Sequence, residues 1–558
     1  NFLFNGFGKI SGTGSLQKLG ASALVLNTTN DFTGPVTIGG GTLKTGARAL
    51  ASVTSLIVTN GGTLDFNGNT LVGNKPISLS GIGVSGNGAL YNSGGDFYNQ
   101  VLNLTLLGDT ILGGSHRWDL ANGSIIAGPY TVTLKMAGGY AEWDSVTLAT
   151  NVGDIEIAQG AFGIKGMGNT FGNPASTLTV ATEVDFWNSA FGANSGYAKS
   201  IHVLTNAAFK VLTSPNTYFN ANVTLENGAN WNYFYGNGSQ TMNGTYTLNG
   251  IAHLTTQDCP VIFTNIIRGP GGFVWDAYNN QLVFSASNTY SGPTIIGGGL
   301  TLALTGNGAI TKSSLIFFGG SDPTSVHLDV GDRPDKTLTL TSGQTLAGIG
   351  RINGRLTVAA GATLSPAGTN ATLGITTGAN ATGIISATNA IVLNGTTIIK
   401  LNGPATNDAV QSTRSSITYD GTLNLVNISG SPLAAGNTFQ IFNATTYSGS
   451  FANITPASPG AGLVWDTTQL NTGKLKVAAA PPQPVVNSVS LSGNNLIFTG
   501  TNGVASGSYV VLTSTNVATP LVNWVPLATN TFDTNGGFHV TNTIGPGNRQ
   551  QFYRLQLP

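Results

Sequence analysis

The chain has very little charge. Of its 558 residues 22 are basic and 22 acidic, 8% in all with a formal net charge of +0, whereas an ordinary globular chain carries about a quarter. Without a basic field to hold phosphates, nucleic acid is excluded as a partner, and so is an anionic lipid surface. A single cysteine, Cys259, excludes an intrachain disulfide framework, so an exported version must be held by strand pairing and packing. That thiol has no second cysteine and the five histidines are scattered; zinc and thiol chemistry are therefore not expected, and Cys259 reads as a small core residue. No run of 18 apolar residues is present, so nothing in the chain reads as a transmembrane helix. G-x-S-x-G, the phosphate loop and H-E-x-x-H are missing, as is the calcium nonapeptide G-G-x-G-x-D. No cofactor and no metal are expected.

What is there points to strands. Hydrophobic residues make up 40% and glycine 78 positions; low hydrophobicity and high charge, the marks of disorder, are absent together. Short alternating runs recur along the chain, such as Ser55 to Val58, Thr63 to Phe66 and Val101 to Leu106, separated by turn signals. Leu64 and Phe66 would point to one face. Asn-Gly pairs sit between the runs at Asn60-Gly61, Asn67-Gly68, Asn122-Gly123, Asn227-Gly228 and Asn249-Gly250, where both residue types tolerate the left-handed backbone of a sharp bend. Hairpins would use the same pairs, but the long, cleanly paired runs of hairpins are missing, which favours coils.

Two stretches share one pattern. Leu24, Val25 and Leu26 correspond to Leu282, Val283 and Phe284; Asn30, Phe32 and Gly34 to Asn288, Tyr290 and Gly292; Ile38 and Gly39 to Gly41 correspond to Ile296 and Gly297 to Gly299. The first copy, with Gly14, Leu16, Lys18, Gly20, Leu24, Leu26, Asn30, Phe32, Gly34, Thr37, Ile38, Gly41 and Leu43 in place, resembles the autotransporter-associated β-strand repeat of bacterial secreted and surface proteins. The resemblance implies an all-β, right-handed parallel β-solenoid, each unit supplying one or more rungs. Leu338 to Leu373 is similar to the closing coil of such passengers.

The expected organisation is a solenoid over residues 1–375, containing an irregular aromatic-rich part at 113–265. An irregular β cap or sandwich-like section follows over 376–480. A C-terminal β-sandwich at 481–558 comes after the Pro-rich Ala478 to Pro484. That last module, with Tyr509 to Thr515, Trp524, Phe532 and Phe552 to Leu555, resembles the C-terminal part of large secreted proteins of Verrucomicrobia-like environmental bacteria.

Sites follow from scarce residue types. Exposed aromatics stack on sugar rings, which makes Trp118, Trp143, Trp187, Trp231, Tyr233 and Tyr235 a candidate ligand face for extracellular polysaccharide; filling wide coils is the competing role. Parallel β-helices also carry polysaccharide lyases and hydrolases. The candidates there are His116, Arg117, Trp118 and Asp119, then Glu142 with Asp144, and Asp154 with Glu156, each carboxylate pair spaced to share a strand face. A solvated strand face is the favoured explanation of such pairs. The apolar start, with Phe2, Leu3, Phe4 and Phe7, is a candidate assembly segment. The chain starts at Asn1 without Met, which reads as a processed or truncated product, its export signal not shown. The expectation is a non-enzymatic structural or adhesive protein of the cell surface or matrix, self-associating end to end. Polysaccharide binding is the alternative, and a lyase or hydrolase a weaker one.

Overall fold

A computed structural model describes residues 1–166, 171–187, 199–212, 217–234, 239–257, 260–278, 281–324, 327–368, 381–403, 406–545, 547 and 550–557. It contains a parallel β-solenoid of about 17 turns. The short alternating runs are its rungs: each places every second side chain inside and pairs with the equivalent run one coil later. One inward column reads Leu24, Leu43, Leu64, Leu90, Leu112, Leu134, Ile157 and Val180, each opposite the next in a parallel ladder. Another reads Val36, Leu56, Ile77, Leu104, Ile126 and Leu148. Apart from Leu24, which is half-buried, all of these are buried. Burying one such side chain contributes about 1.5–3 kcal/mol, so stacked like residues make neighbouring coils mutually dependent.

The repeat motif acquires a physical reason position by position. Asn30 is buried; its Oδ1 accepts from the Ile10 amide at 2.9 Å, and its Nδ2 donates to Thr28 and Ala49 carbonyls, which ties three successive turns of chain together. Asn288 repeats this with the Ile267 amide at 2.8 Å. Phe32 and Tyr290 enter the core, the Tyr290 hydroxyl meeting Thr294 Oγ1 at 2.6 Å. Gly34 must be glycine, since a Cβ there would stand 2.0 Å from the Gly14 carbonyl oxygen of the neighbouring coil. Gly41 is a corner with φ +61°, a left-handed conformation that side chains disfavour. Lys18 folds inward and donates to the carbonyls of Leu19, Gly20 and Gly40, closing corners that strands cannot satisfy. In the second copy the register puts Trp275 in its place, opposite Ile296 as Lys18 is opposite Ile38.

The expected solenoid continues through the aromatic-rich part, and only its expected end at 375 changes. The middle, 113–265, keeps the parallel ladder from coil to coil, with Ile201 opposite Val223 and Val223 opposite Tyr246. The coils also run on past 375: Ile385 pairs with Gly350, Val410 with Ile385 and Phe442 with Val410. The last parallel strand, Asn453–Thr455, lies on Thr422–Asn427. Repeat consensus is lost there, but inward alternation suffices to continue a ladder.

The chain divides into two compact units. The first comprises Asn1–Ser431, Thr438–Pro456 and Thr467–Leu475; the second comprises Pro432–Asn437, Ala457–Asp466 and Lys476–Pro558. Within the second, Val485–Ser492, Asn495–Thr501 and Phe538–Thr543 form one antiparallel sheet, and Val525–Thr531, Ser508–Ser514 and Phe552–Gln556 another. Phe498, Tyr509, Val511, Phe532, Phe538 and Val540 fill the core between them. Among the described residues no helix is long and apolar enough to cross a membrane.

Candidate functional site

Aromatic residues divide between the two sides of the coil wall. Trp118 and Trp143 are each 2% exposed, and Trp231 and Tyr233 are fully buried. These four are core residues, which corrects the expected ligand face. Trp118 packs on Phe66 and its indole donates to the Gly113 carbonyl; Trp231 stacks on Tyr246 at 4.8 Å between ring centroids. Tyr235 and Cys259 lie outside the described residues. Trp187 alone of the described candidates stands on the outside, 37% exposed. The reason is alternation: the polar neighbours Arg117 and Asp119, or Glu142 and Asp144, take the outward positions and force the residue between them inward.

Around Trp187 the outward positions of successive coils converge. Asp119 lies one rung before Glu142, Gly163 follows Glu142, Asp185 follows Gly163, and Lys210 follows Asp185. Arg117 forms a fork on Asp119, Nε to Oδ1 and Oδ2 at 3.0 and 2.9 Å and Nη2 to Oδ2 at 2.7 Å, and its guanidinium lies between the rings of Tyr98 and Tyr140, 5.1 and 4.6 Å from their centroids. Asp119 Oδ1 also accepts from the Glu142 amide at 2.9 Å. Lys165 pairs with Asp144 at 3.2 Å and Lys210 with Glu183 at 2.6 Å. The Trp187 indole donates to the Tyr140 hydroxyl at 3.1 Å. Tyr98, Arg117, Tyr140 and Trp187 thus make one row across the coils.

Five carboxylates, Asp119, Glu142, Asp144, Glu183 and Asp185, face three cations, Arg117, Lys165 and Lys210. Those cations are taken by the closer partners, leaving Glu142 with contacts at 3.9 and 4.0 Å and Asp185 with one at 4.0 Å. Asp185 is 7% exposed and its Oδ1 has no hydrogen-bond partner among the described residues. Burial, with Glu183 and Glu142 adding repulsion against the pull of Lys210, pushes its pKa up to about 6. Burial likewise raises Glu142.

Glu142 and Asp185 stand two strand spacings apart, about 9–10 Å, close to the upper end of the carboxylate separation an inverting glycosidase uses. The space between them is occupied. The Tyr140 phenol lies over Gly163, where a Cβ would come within 2.1 Å of its oxygen, and so takes the place an attacking water would need.

The remaining sequence candidates fall elsewhere. His116 is exposed and meets Ser115 Oγ at 3.3 Å. Asp154 accepts from the Thr177 amide at 2.8 Å, and Glu156 from Thr133 Oγ1 at 3.3 Å; neither carboxylate touches the Arg117 row. Sequence reasoning missed Tyr98, Lys165, Glu183, Asp185 and Lys210. The available signal was the lone charged residues at alternating positions, Glu183 and Asp185 flanking Val184.

The passenger-associated-transport-repeat model matches residues 16–44 and 279–304, the two stretches whose Asn, aromatic and Gly positions were traced above. A search of curated proteins finds no match. The two matches together with the coil stack support an autotransporter passenger-type β-helix protein.

Proposed function

We propose that this protein is a non-enzymatic structural and adhesive component of the cell surface or matrix, its coils serving as a scaffold that displays outward side chains. The observation that carries the reading is the Tyr98–Arg117–Tyr140–Trp187 row: rings and a guanidinium linked by side-chain contacts on the outer wall, with a phenol lodged between the two carboxylates that catalysis would need free. Such a row offers flat faces for stacking on extracellular material, a polysaccharide included, and holds them rigidly enough that little side-chain freedom is lost on contact. The test is retention of the purified chain on polysaccharide-coated surfaces. Retention that drops when Trp187 and Tyr98 become alanine supports the reading; polysaccharide turnover that disappears in Glu142→Gln or Asp185→Asn refutes it.

A second reading, end-to-end assembly, rests on the first rung. Phe2–Phe4 pairs with Leu24–Leu26 along one edge, and its other edge accepts a further rung, from another copy or from preceding chain. Phe2 is 70% exposed and Phe7 fully so, which favours their being covered. Electron microscopy of the purified chain decides it: filaments that are lost when Phe2, Phe4 and Phe7 become serine support stacking of copies, and dispersed single particles exclude it.

A further inference from the structure

A second outward face, well separated along the coils from the Arg117 row, has the opposite electrostatic character. Gln281, Thr301, His327 and Arg351 occupy one outward column on four successive rungs. Beside it run Asp329 and Asn353. With Thr388 and Arg414 these side chains line a groove of about 740 Å³ that is open to solvent. From Gln281 to Arg351 is three strand spacings, about 14 Å.

Several of the groove's polar groups are already engaged. Asp329 Oδ1 accepts from the Asn353 amide nitrogen at 2.9 Å and from the Gly331 backbone at 2.7 Å, and Asn353 Oδ1 accepts from Thr388 Oγ1 at 3.2 Å. Thr301 Oγ1 meets His327 Nδ1 at 3.3 Å. What remains is mainly donors and positive charge. Arg351 Nε and His327 Nε2 are shielded from water without a hydrogen-bond partner among the described residues. Neither Arg351 nor Arg414 belongs to any of the ion pairs formed among the described residues. Burial, and Arg351 next, lower the pKa of His327, so the lasting charges of the lining are two guanidiniums against the single, satisfied carboxylate of Asp329. A buried guanidinium nitrogen without an acceptor is costly, and an anionic oxygen is what relieves it.

We propose that this groove binds an acidic glycan laid along the coil axis, its carboxylate or sulfate groups read by Arg351 and Arg414 and its hydroxyls by Gln281, Thr301, His327 and Asn353. The chemistry of the lining selects this class of ligand. A peptide helix or strand would need apolar anchors or a free sheet edge, and the lining is polar. A nucleic acid would need a run of cations to displace its counterions, and there are two. A small free anion would engage one guanidinium and leave most of the groove to water. Hydroxyl-reading side chains repeated at strand spacing, with a cation at two of the positions, suit a polymer of sugar rings bearing occasional negative groups. The site is independent of the Tyr98–Trp187 row, so either can fail without the other.

The full chain is titrated by calorimetry with size-matched oligogalacturonate, dextran sulfate and neutral dextran. The expected result is binding of one or both anionic probes that weakens with added salt, with the neutral probe not retained. Binding of oligogalacturonate alone assigns the carboxylate, of dextran sulfate alone the sulfate ester, and of both a site that reads charge. Arg351→Gln and Arg414→Gln each weaken binding about tenfold or more. Lys312→Gln, which removes an exposed cation outside the groove, leaves it unchanged. Arg414 is exposed, so its variant keeps the fold, and Arg351→Lys retains charge while losing the fork, giving a smaller loss. Equal binding of neutral dextran, no binding of either anionic probe, wild-type affinity in both arginine variants, or an equal loss in Lys312→Gln overturns the proposal.

Discussion

The two outer faces of the coil stack use the same backbone ladder and differ in which sign of charge is left over. On the Arg117 row each cation has a close carboxylate, and the surplus is negative: Glu142 and Asp185 keep only long contacts and their pKa values rise. In the Gln281–Arg414 groove the single lining carboxylate accepts from neutral amides, and two guanidiniums set against it leave the surplus positive. The lesson is that a solenoid separates folding from display. Inward positions carry the stability, so outward positions on any set of coils are free to take either sign, and a chain of net charge zero can hold two faces of opposite preference.

The largest expected effect tests that separation across a single wall. Trp143→Ala empties an inward position in contact with Phe162 and is expected to cost about 3–5 kcal/mol; Trp187→Ala, outward on the same wall, is expected to cost less than about 1 kcal/mol while abolishing surface retention. Urea midpoints of the two variants measure the contrast. Comparable losses would mean that the outer row is part of what holds the coils together.

A smaller effect reports the surplus negative charge. The folded-state pKa of Asp185, up to about 6, lies above its ordinary value of about 3.8–3.9, so between those values the folded chain holds a proton that the unfolded chain has released, and stability falls as pH rises through that window. Asp185→Asn removes the fall. The variant is expected to match the parent at pH 4 and to exceed it by about 1–2 kcal/mol at pH 7.5, allowing for screening near the surface. Thermal melts at the two pH values check this; a variant that is less stable at pH 7.5 would show that Lys210 satisfies the carboxylate after all.

The smallest effect concerns the notch. In Gly163→Ala the new methyl displaces the Tyr140 phenol, a side chain that can rotate away, so the cost is expected to stay below about 1 kcal/mol. The hydrogen bond from Trp187 is broken, and a change in tryptophan emission reports it. An unchanged spectrum would mean that the phenol does not occupy the notch in solution.

Much of the scaffold was legible in the residues. Asn30, Phe32 and Gly34, repeated as Asn288, Tyr290 and Gly292, announced the coil because each has a position-specific reason: a buried amide closing three turns, a ring in the core, a contact too close for a methyl. The carboxylate pair Glu142 and Asp144 was legible as one strand face. The inward placement of Trp118 and Trp143 was also implicit, because each lies between two charged residues and alternation leaves it no other side. For Trp231 and Tyr233 the spacing of two says that they share a face and does not say which, so their burial had to come from the fold.

The sequence by itself determined the rung: its length, its inward column and the residues at its corners, all of which follow from interactions within one coil or with the next copy of the same pattern. Only the tertiary structure decided which coils neighbour which outward residues. Coil length varies, so no local rule counts from Glu142 to Asp185 or from His327 to Arg351, and it is the register of the parallel ladder that sets those groups side by side. The same register continued the solenoid past 375 after the repeat consensus had faded, since pairing needs an inward alternation and a free strand edge and does not need the motif that first revealed it.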